Sequence, residues 1–236
     1  RPNIKESSNE YKQTWDHLLS LDEIRLQKHK VQGKVQNLSE IYLIGNTTKI
    51  NSEEIESLPA VERVVRISHD FRILGRHSRD TNSIDFEYNG IHFNQDSLHI
   101  FAGLCAVDNH KNVKLMMRSL QDEGLNCTRM GAYKPRTNPY SFQGYGKECL
   151  NYVFELAGEH GIKVIAMEVT HESHIEEIDQ TLESLGRPTG VILQIGTRNT
   201  QNFELLKAVG RQHEYPVLLK RGFGISLNES LNAAEY

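Results

Sequence analysis

From residue 98 onward the chain repeats one pattern: a short apolar run, then an amphipathic stretch of helical period. The apolar runs lie at residues 98–104, 125–130, 163–169, 191–195 and 216–220. Between them, Val113, Met116, Met117 and Leu120 recur near every 3.6 residues. So do Leu150, Val153, Phe154 and Ala157, then Ile175, Ile178, Leu182 and Leu185, then Phe203, Leu205, Leu206 and Val209. Strands that alternate with helices of this length pair in parallel and carry their helices outside, because a parallel crossover needs a connection of helical length. The pattern therefore predicts an α/β fold with five βα units. A closed (β/α)8 barrel needs at least ~200 residues, so residues 98–236 hold either part of a barrel or an open five-stranded sheet.

The first part of the chain follows another rhythm. Residues 1–40 are polar, with Trp15, Leu18, Leu19, Leu21 and Ile24 at helical spacing, then an edge strand over 29–35. Ile41, Tyr42, Leu43 and Ile44 form a strand closed by Gly45-Asn46. A helix is expected over 52–58, with Ser52 as its cap and Glu53 and Glu54 in its first turn. Val61, Val64, Val65 and Ile67 supply a further strand. This order suggests a small α+β module of the ferredoxin-like kind. Residues 71–96 alternate charges and turn signals; Asn89-Gly90, between Ile84, Phe86, Tyr88 and Ile91, Phe93, predicts a hairpin. The expected organisation is a small α+β domain with an N-terminal extension over 1–80, a linking hairpin over 81–97 and the βα array over 98–236.

Composition excludes several classes. Hydrophobic residues at 38% and charged residues at 25% rule out global disorder. Lys and Arg number 27 against 31 Asp and Glu, without a basic stripe, so no nucleic-acid partner is expected. No apolar run approaches the ~18 residues of a membrane span and no apolar signal region opens the chain, so a soluble, cytoplasmic protein is expected. Three widely spaced cysteines do not make a disulfide framework. The chain begins at Arg1 without a methionine and stops at Tyr236 inside a helical run, as a piece of something longer would.

Parallel α/β folds build their sites at the carboxyl ends of the strands. There the sequence places Cys105, then Arg129 with Lys134-Pro135-Arg136-Thr137, then Glu168, then Gly196-Thr197-Arg198, then Lys220-Arg221-Gly222. Side chains alternate along a strand, so Arg221 points away from Lys220 and leaves the set. Clustered Arg and Lys beside glycine turns suit phosphate, because Arg offers a planar fork of donors and Lys a mobile charge, while Gly lets backbone N–H groups approach. Any one of these cations can instead pair with an acidic neighbour; the set points to a phosphorylated ligand, with charge enough for two phosphates. Cys105 is open to three readings, metal ligand, nucleophile or buried filler, of which filler is the commonest for a free cysteine. No HxxxH or CxxC spacing supports a metal site, and His110 aside, His171 and His174 read as the frame of a helix start. Cys127 and Cys149 read as core residues, and residues 140–146 as a shaped loop covering a pocket.

The runs GAYKPRTNPYSFQGYG (131–146), LQIGTRNTQNFELLKAVG (193–210) and PVLLKRG (216–222) resemble the type Iβ 3-deoxy-D-arabino-heptulosonate 7-phosphate (DAHP) synthases. FAGLCAV, from Phe101, is similar to that family's first barrel strand, and residues 29–79 resemble its N-terminal ferredoxin-like regulatory domain. The resemblance implies a (β/α)8 TIM-barrel type fold preceded by a ferredoxin-like domain. It also implies condensation of phosphoenolpyruvate with erythrose 4-phosphate, the first step of the shikimate pathway to the aromatic amino acids. By matching positions, Arg129, Lys134, Arg198 and Lys220 would hold phosphoenolpyruvate, and Lys134, Pro135, Arg136 and Thr137 would frame erythrose 4-phosphate. Gly196 and Thr197 would offer backbone donors to phosphate, and Lys134 would assist proton transfer. Cys105 would be a ligand of a divalent metal ion (Mn, Fe, Zn or Co). An aromatic amino acid effector, tyrosine or phenylalanine, and a homo-oligomer are implied as well.

Departures from the family pattern set limits. Its remaining metal ligands, a His, a Glu and an Asp on later strands, and a phosphate-binding Arg on the sixth strand have no counterpart in this sequence. The chain as given is therefore expected to show little or no synthase activity. Leu104 stands where the family usually has Pro, Met130 for Gly, Thr197 for Ala and Asn138 for Ser. The alternative reading is a catalytically inactive, truncated paralogue with a regulatory or assembly role, which would be an obligate oligomer because its sheet edge needs a cover. A 3-deoxy-octulosonate or sialate synthase is a third reading, against which the KPRT run speaks.

Overall fold

The computed structural model describes residues 1–32, 37–67, 74 and 85–236, and the chain divides into two compact units, residues 1–68 and 69–236. Among the described residues no helix is long and apolar enough to cross a membrane.

The first unit opens with helix α1 (Asn9–Leu19), capped by the Ser8 hydroxyl, which accepts from the Tyr11 N–H. Its buried face is Tyr11, Thr14 and Leu18. Strands β1 (Ile24–Gln32) and β2 (Asn37–Gly45) pair antiparallel, with Leu26 opposite Leu43. Ile24, expected on the helix, starts β1 instead, because the helix ends at its Ser20 cap. Residues 33–35 of the expected edge strand lie outside the described residues. Helix α2 (Ser52–Glu56) is capped by Asn51, not Ser52: the Asn51 side chain accepts from the Glu53 N–H at 3.0 Å. Residues 61–67 form no strand. Val65 and Ile67 are exposed, and among the described residues neither strand of the β1–β2 sheet pairs with this segment. Arg66 instead donates to the carbonyls of Thr47 and Ile50.

The second unit carries the βα array. Residues 75–84, with Ile84 and most of the stretch expected to precede the hairpin, lie outside the described residues. The hairpin itself is present: β3 (Phe86–Tyr88) pairs with β4 (Ile91–Phe93), and Asn89 and Gly90 turn the chain at φ 47° and 77°. Two positive φ angles in a two-residue loop are what the right-handed twist of a hairpin demands, hence Asn-Gly.

Four strands, β5 (Cys127–Arg129), β6 (Val164–Val169), β7 (Gly190–Ile195) and β8 (Val217–Leu219), form one parallel sheet in that order. Helices α3 (His110–Asp122), α4 (Leu150–Glu159), α5 (Ser173–Ser184), α6 (Phe203–Arg211) and α7 (Leu227–Ala234) connect or follow them. The predicted periodicities hold: Val113, Met117 and Leu120 are buried on α3, Ile178 and Leu182 on α5, Leu205, Leu206 and Val209 on α6. Ser226 and Glu229 close a reciprocal capping box at the start of α7. Strand alternation sorts the sheet into two faces. Ile165, Met167, Val169, Val191, Leu193 and Ile195 join the helices in the main core. Cys127, Val164 and Ile192 form a second cluster on the inner face with Ile91 of the hairpin. Tyr88 and Asn89 tie the hairpin to that inner face. The Val191 N–H donates to the Tyr88 hydroxyl at 3.1 Å, and the Asn89 amide donates to the Lys163 carbonyl at 2.6 Å.

The expected first strand, residues 98–104, is reduced to one parallel bridge between Ala102 and Thr128. Leu98 and Ile100 are exposed and have no apolar layer to enter, so only the end of the segment is tied to β5. There the Thr128 hydroxyl and the Arg129 N–H both donate to the Ala102 carbonyl, and the Gly131 N–H donates to Leu104.

Candidate functional site

The inner-face residues that come last on each strand converge. Arg129 ends β5 opposite Ala166; Glu168 lies two residues further along the same face of β6 and pairs in register with Gln194 of β7; Gln194 pairs with Leu218, and Lys220 follows two residues later. Arg129, Glu168, Gln194 and Lys220 thus line a cavity of about 160 Å³ together with Cys105, Met130, Gly131, Lys134, Pro135, Arg136, Thr197 and Arg198. Five cationic side chains and one carboxylate face it.

Of the residues singled out in the sequence, Cys105, Arg129, Lys134, Pro135, Arg136, Thr197, Arg198 and Lys220 line the cavity. Thr137 sits beside it, its hydroxyl accepting from Arg198 Nη2 at 3.3 Å. The Arg198 guanidinium also lies over the Phe223 ring, 5.6 Å from its centroid, which fixes it between the loop after Lys134 and the loop after β8. Gly196 lies against Glu168: a Cβ there would overlap Glu168 Oε1. Glu168, legible in the sequence only as a strand end, joins the site in the structure, as does Gln194, a buried residue outside the set expected from sequence. The signal was present in both cases, a polar residue at the inward phase of an otherwise apolar strand.

Glu168 Oε2 lies 3.6 Å from Lys134 Nζ, and both side chains are largely withdrawn from water. The loop that delivers Lys134 closes on itself. The Gly146 N–H donates to Ala132, the Lys134 N–H to Gln143, and Arg136 Nε to the Phe142 carbonyl. Gly144, at φ 90°, can take no side chain because a Cβ would overlap the Ala132 carbonyl. The expected pocket-covering loop is thus a rigid hairpin-like frame for Lys134 and Arg136.

The cavity can hold an anion: guanidinium forks and ammonium groups surround it, and only Glu168 opposes them. The divalent ion that the resemblance implies does not fit the residues present. Cys105 is exposed at the cavity, but among the described residues no group of three or more His, Cys, Asp or Glu side chains is disposed to hold a metal. A thiolate alone does not satisfy a four-coordinate ion. Cys127 and Cys149 are buried, as expected of core residues.

The chain is 34% identical over 203 residues to phospho-2-dehydro-3-deoxyheptonate aldolase of Thermotoga maritima, covering 86% of this chain and 57% of that protein. A crystal structure of the Thermotoga maritima DAHP synthase superposes with a TM-score of 0.62 at 29% identity, covering 100% of this chain and 63% of that one. A truncated form of the synthase from the same organism superposes with a TM-score of 0.52, also at 29% identity, over 65% of this chain and 51% of that one. The chain therefore spans less than two thirds of the relatives it matches. The α/β array is part of a TIM-barrel type fold. Residues 80–236, with all the strands that build the cationic cavity, match the DAHP synthetase I family, and the chain belongs to that family.

Proposed function

We propose that the cavity binds phosphoenolpyruvate and that the chain serves a DAHP synthase reaction, the condensation of phosphoenolpyruvate with erythrose 4-phosphate. The observation that carries the reading is the convergence of Arg129, Lys134, Arg136, Arg198 and Lys220 on one small cavity at the carboxyl ends of the strands. Phosphoenolpyruvate carries a phosphate and a carboxylate on a three-carbon frame, and a cavity with two Lys and three Arg matches that charge. Arg129, Lys134, Arg198 and Lys220 would hold it, while Pro135, Arg136 and Thr137 would face the erythrose 4-phosphate end.

In the reaction, the enol double bond supplies the electron pair for a new bond from its terminal carbon to the aldehyde carbon. The aldehyde oxygen takes up a proton, water adds at the enol carbon, and inorganic phosphate leaves. Lys134 is the group assigned to hold a proton near the aldehyde oxygen, and Glu168 at 3.6 Å orients its ammonium. No step is assigned to a metal, since the residues described do not form a metal centre. The reading extends to residues 1–80 as a sensor of tyrosine or phenylalanine and to a homo-oligomer, both on the family resemblance alone. An unchanged thermal midpoint with millimolar tyrosine and with phenylalanine would remove the sensor.

Calorimetric titration of the chain with phosphoenolpyruvate tests the cavity, and loss of phosphoenolpyruvate absorbance with erythrose 4-phosphate and manganese tests turnover. Saturable binding that Lys134→Ala abolishes is expected. Binding that survives Lys134→Ala, or none at all, would refute the assignment.

A further inference from the structure

The residue before Lys134, which does not line the cavity, makes a set of contacts that the anion site does not use. Tyr133 is buried, and its ring lies flat on the His174 imidazole, with centroids 3.6 Å apart and planes 11° from parallel. Its hydroxyl donates to Glu177 Oε2 at 2.7 Å. His174 is itself fixed, because its Nδ1 accepts from the Thr170 N–H at 3.2 Å, just past the end of β6. Burial holds the imidazole below its usual pKa, in keeping with a neutral ring whose Nδ1 accepts. Gly146 lies under the edge of the Tyr133 ring, where a Cβ would stand 3.4 Å from Cε1.

Consecutive residues of one backbone segment are thus clamped in opposite directions to the same strand end. On the cavity side Lys134 meets Glu168 of β6, and on the helix side Tyr133 meets His174 and Glu177 of α5, the helix that β6 leads into. The backbone that carries Lys134 is thus held from the helix side, while its ammonium is met by Glu168 on the cavity side. We propose that His174 and Glu177 are positioning residues that act through Tyr133 to hold Lys134 in its anion-binding place. The inference rests on the reading of the cavity as a phosphoenolpyruvate site.

The test is a double-mutant cycle on phosphoenolpyruvate affinity, measured by calorimetry on the full chain below the thermal midpoint of each variant. The Tyr133–Glu177 hydrogen bond is made in the ligand-free chain as well, so its loss reaches phosphoenolpyruvate only through the placement of Lys134, with the worth of one charge-assisted hydrogen bond, about tenfold, as the upper bound. Tyr133→Phe and Glu177→Ala should each weaken phosphoenolpyruvate by a similar factor of up to about tenfold, and the double variant should be no weaker than either alone. Glu177→Gln, which keeps an acceptor, should restore affinity to within about twofold of wild type. His174→Phe, which keeps the stacked ring, should bind better than His174→Ala. If Tyr133→Phe does not fold, the contrast of Glu177→Gln with Glu177→Ala decides the matter.

Wild-type affinity in Tyr133→Phe and Glu177→Ala, with binding lost in Lys134→Ala, would overturn the positioning role and leave the cavity assignment standing. Additive losses in the double variant would also overturn it, since a coupled clamp cannot be broken twice. Absence of phosphoenolpyruvate binding by the wild-type chain would overturn both.

Discussion

Lys134 and Glu168 face each other across 3.6 Å at the floor of the cavity, with side-chain exposures of 10% and 12%. Glu168 competes with any bound anion for the Lys134 ammonium. Removing only its charge in Glu168→Gln, whose amide oxygen can still accept from the ammonium and keep it oriented, should tighten inorganic phosphate by roughly fivefold, the equivalent of about 1 kcal/mol from one partly screened charge contact. Lys134→Ala should do the reverse and also leave a carboxylate withdrawn from water without its partner. A loss of about 1–3 kcal/mol in unfolding free energy is expected, read by urea titration. Phosphate affinity that falls in Glu168→Gln would show that the carboxylate supports the anion site rather than competing with it.

Gly196 and Glu168 are packed so closely that a single methyl group at position 196 cannot coexist with the present carboxylate position. Gly196→Ala should therefore displace Glu168 and with it Lys134. The expected outcome is a loss of anion affinity of tenfold or more with a stability change of about 1–3 kcal/mol, the usual cost of overpacking. A crystal structure of Gly196→Ala with Glu168 unmoved would contradict the argument.

Tyr88 lies at the other end of the strands, where its hydroxyl accepts from the Val191 N–H. Tyr88→Phe removes that acceptor and should cost about 1–3 kcal/mol in a denaturant titration. Phosphate affinity should stay at the wild-type value, because no hairpin residue lines the cavity. A change in affinity equal to that of a cavity variant would show that the two ends of the strands are coupled.

The cysteines differ in their response to pH and to reagents. Cys105 is exposed, whereas burial pushes the Cys149 thiol up to about 12 from an ordinary 9.0. A group raised in the folded state favours folding fully below its unfolded pKa, and the contribution is lost as pH rises from about 9 to about 12. Tyr152, pushed up to about 12 by burial, adds to the same decline above about 10. The thermal midpoint should therefore fall across this alkaline window, and less steeply in Cys149→Ala. At neutral pH a maleimide should modify Cys105 in the folded chain while Cys149 reacts only after denaturation. Equal rates for the two thiols would contradict the burial of Cys149.

Much of this was legible in the sequence because it depends on local rules. Val164, Ile165, Ala166 and Met167 form an unbroken apolar run because β6 is covered on both faces, and such runs alternating with 3.6-period helices specify a parallel array. Period-two alternation separated Lys220 from Arg221, and Asn89-Gly90 announced its turn through two positive φ angles. The cations of the cavity stand at or just past the carboxyl ends of the strands, positions that the apolar runs mark in the sequence.

What required the tertiary structure was partnership. Residues 61–67 carry a strand-like pattern, but a strand exists only where an edge accepts its hydrogen bonds, and among the described residues no strand pairs with them. Leu98 and Ile100 are apolar, yet without a layer to enter they stay exposed. Asn51 rather than Ser52 caps α2 because the chain turns one residue earlier than the cap preference alone can say. Glu168 reads as one acid among many until β6 and the loop after β5 bring it to Lys134, and Tyr133 reads as a neighbour of Lys134 until α5 offers His174 and Glu177. Local periodicity fixes which face a residue takes; which side chain it meets there depends on groups 34 to 44 residues away, brought together only when the strands and helices pack.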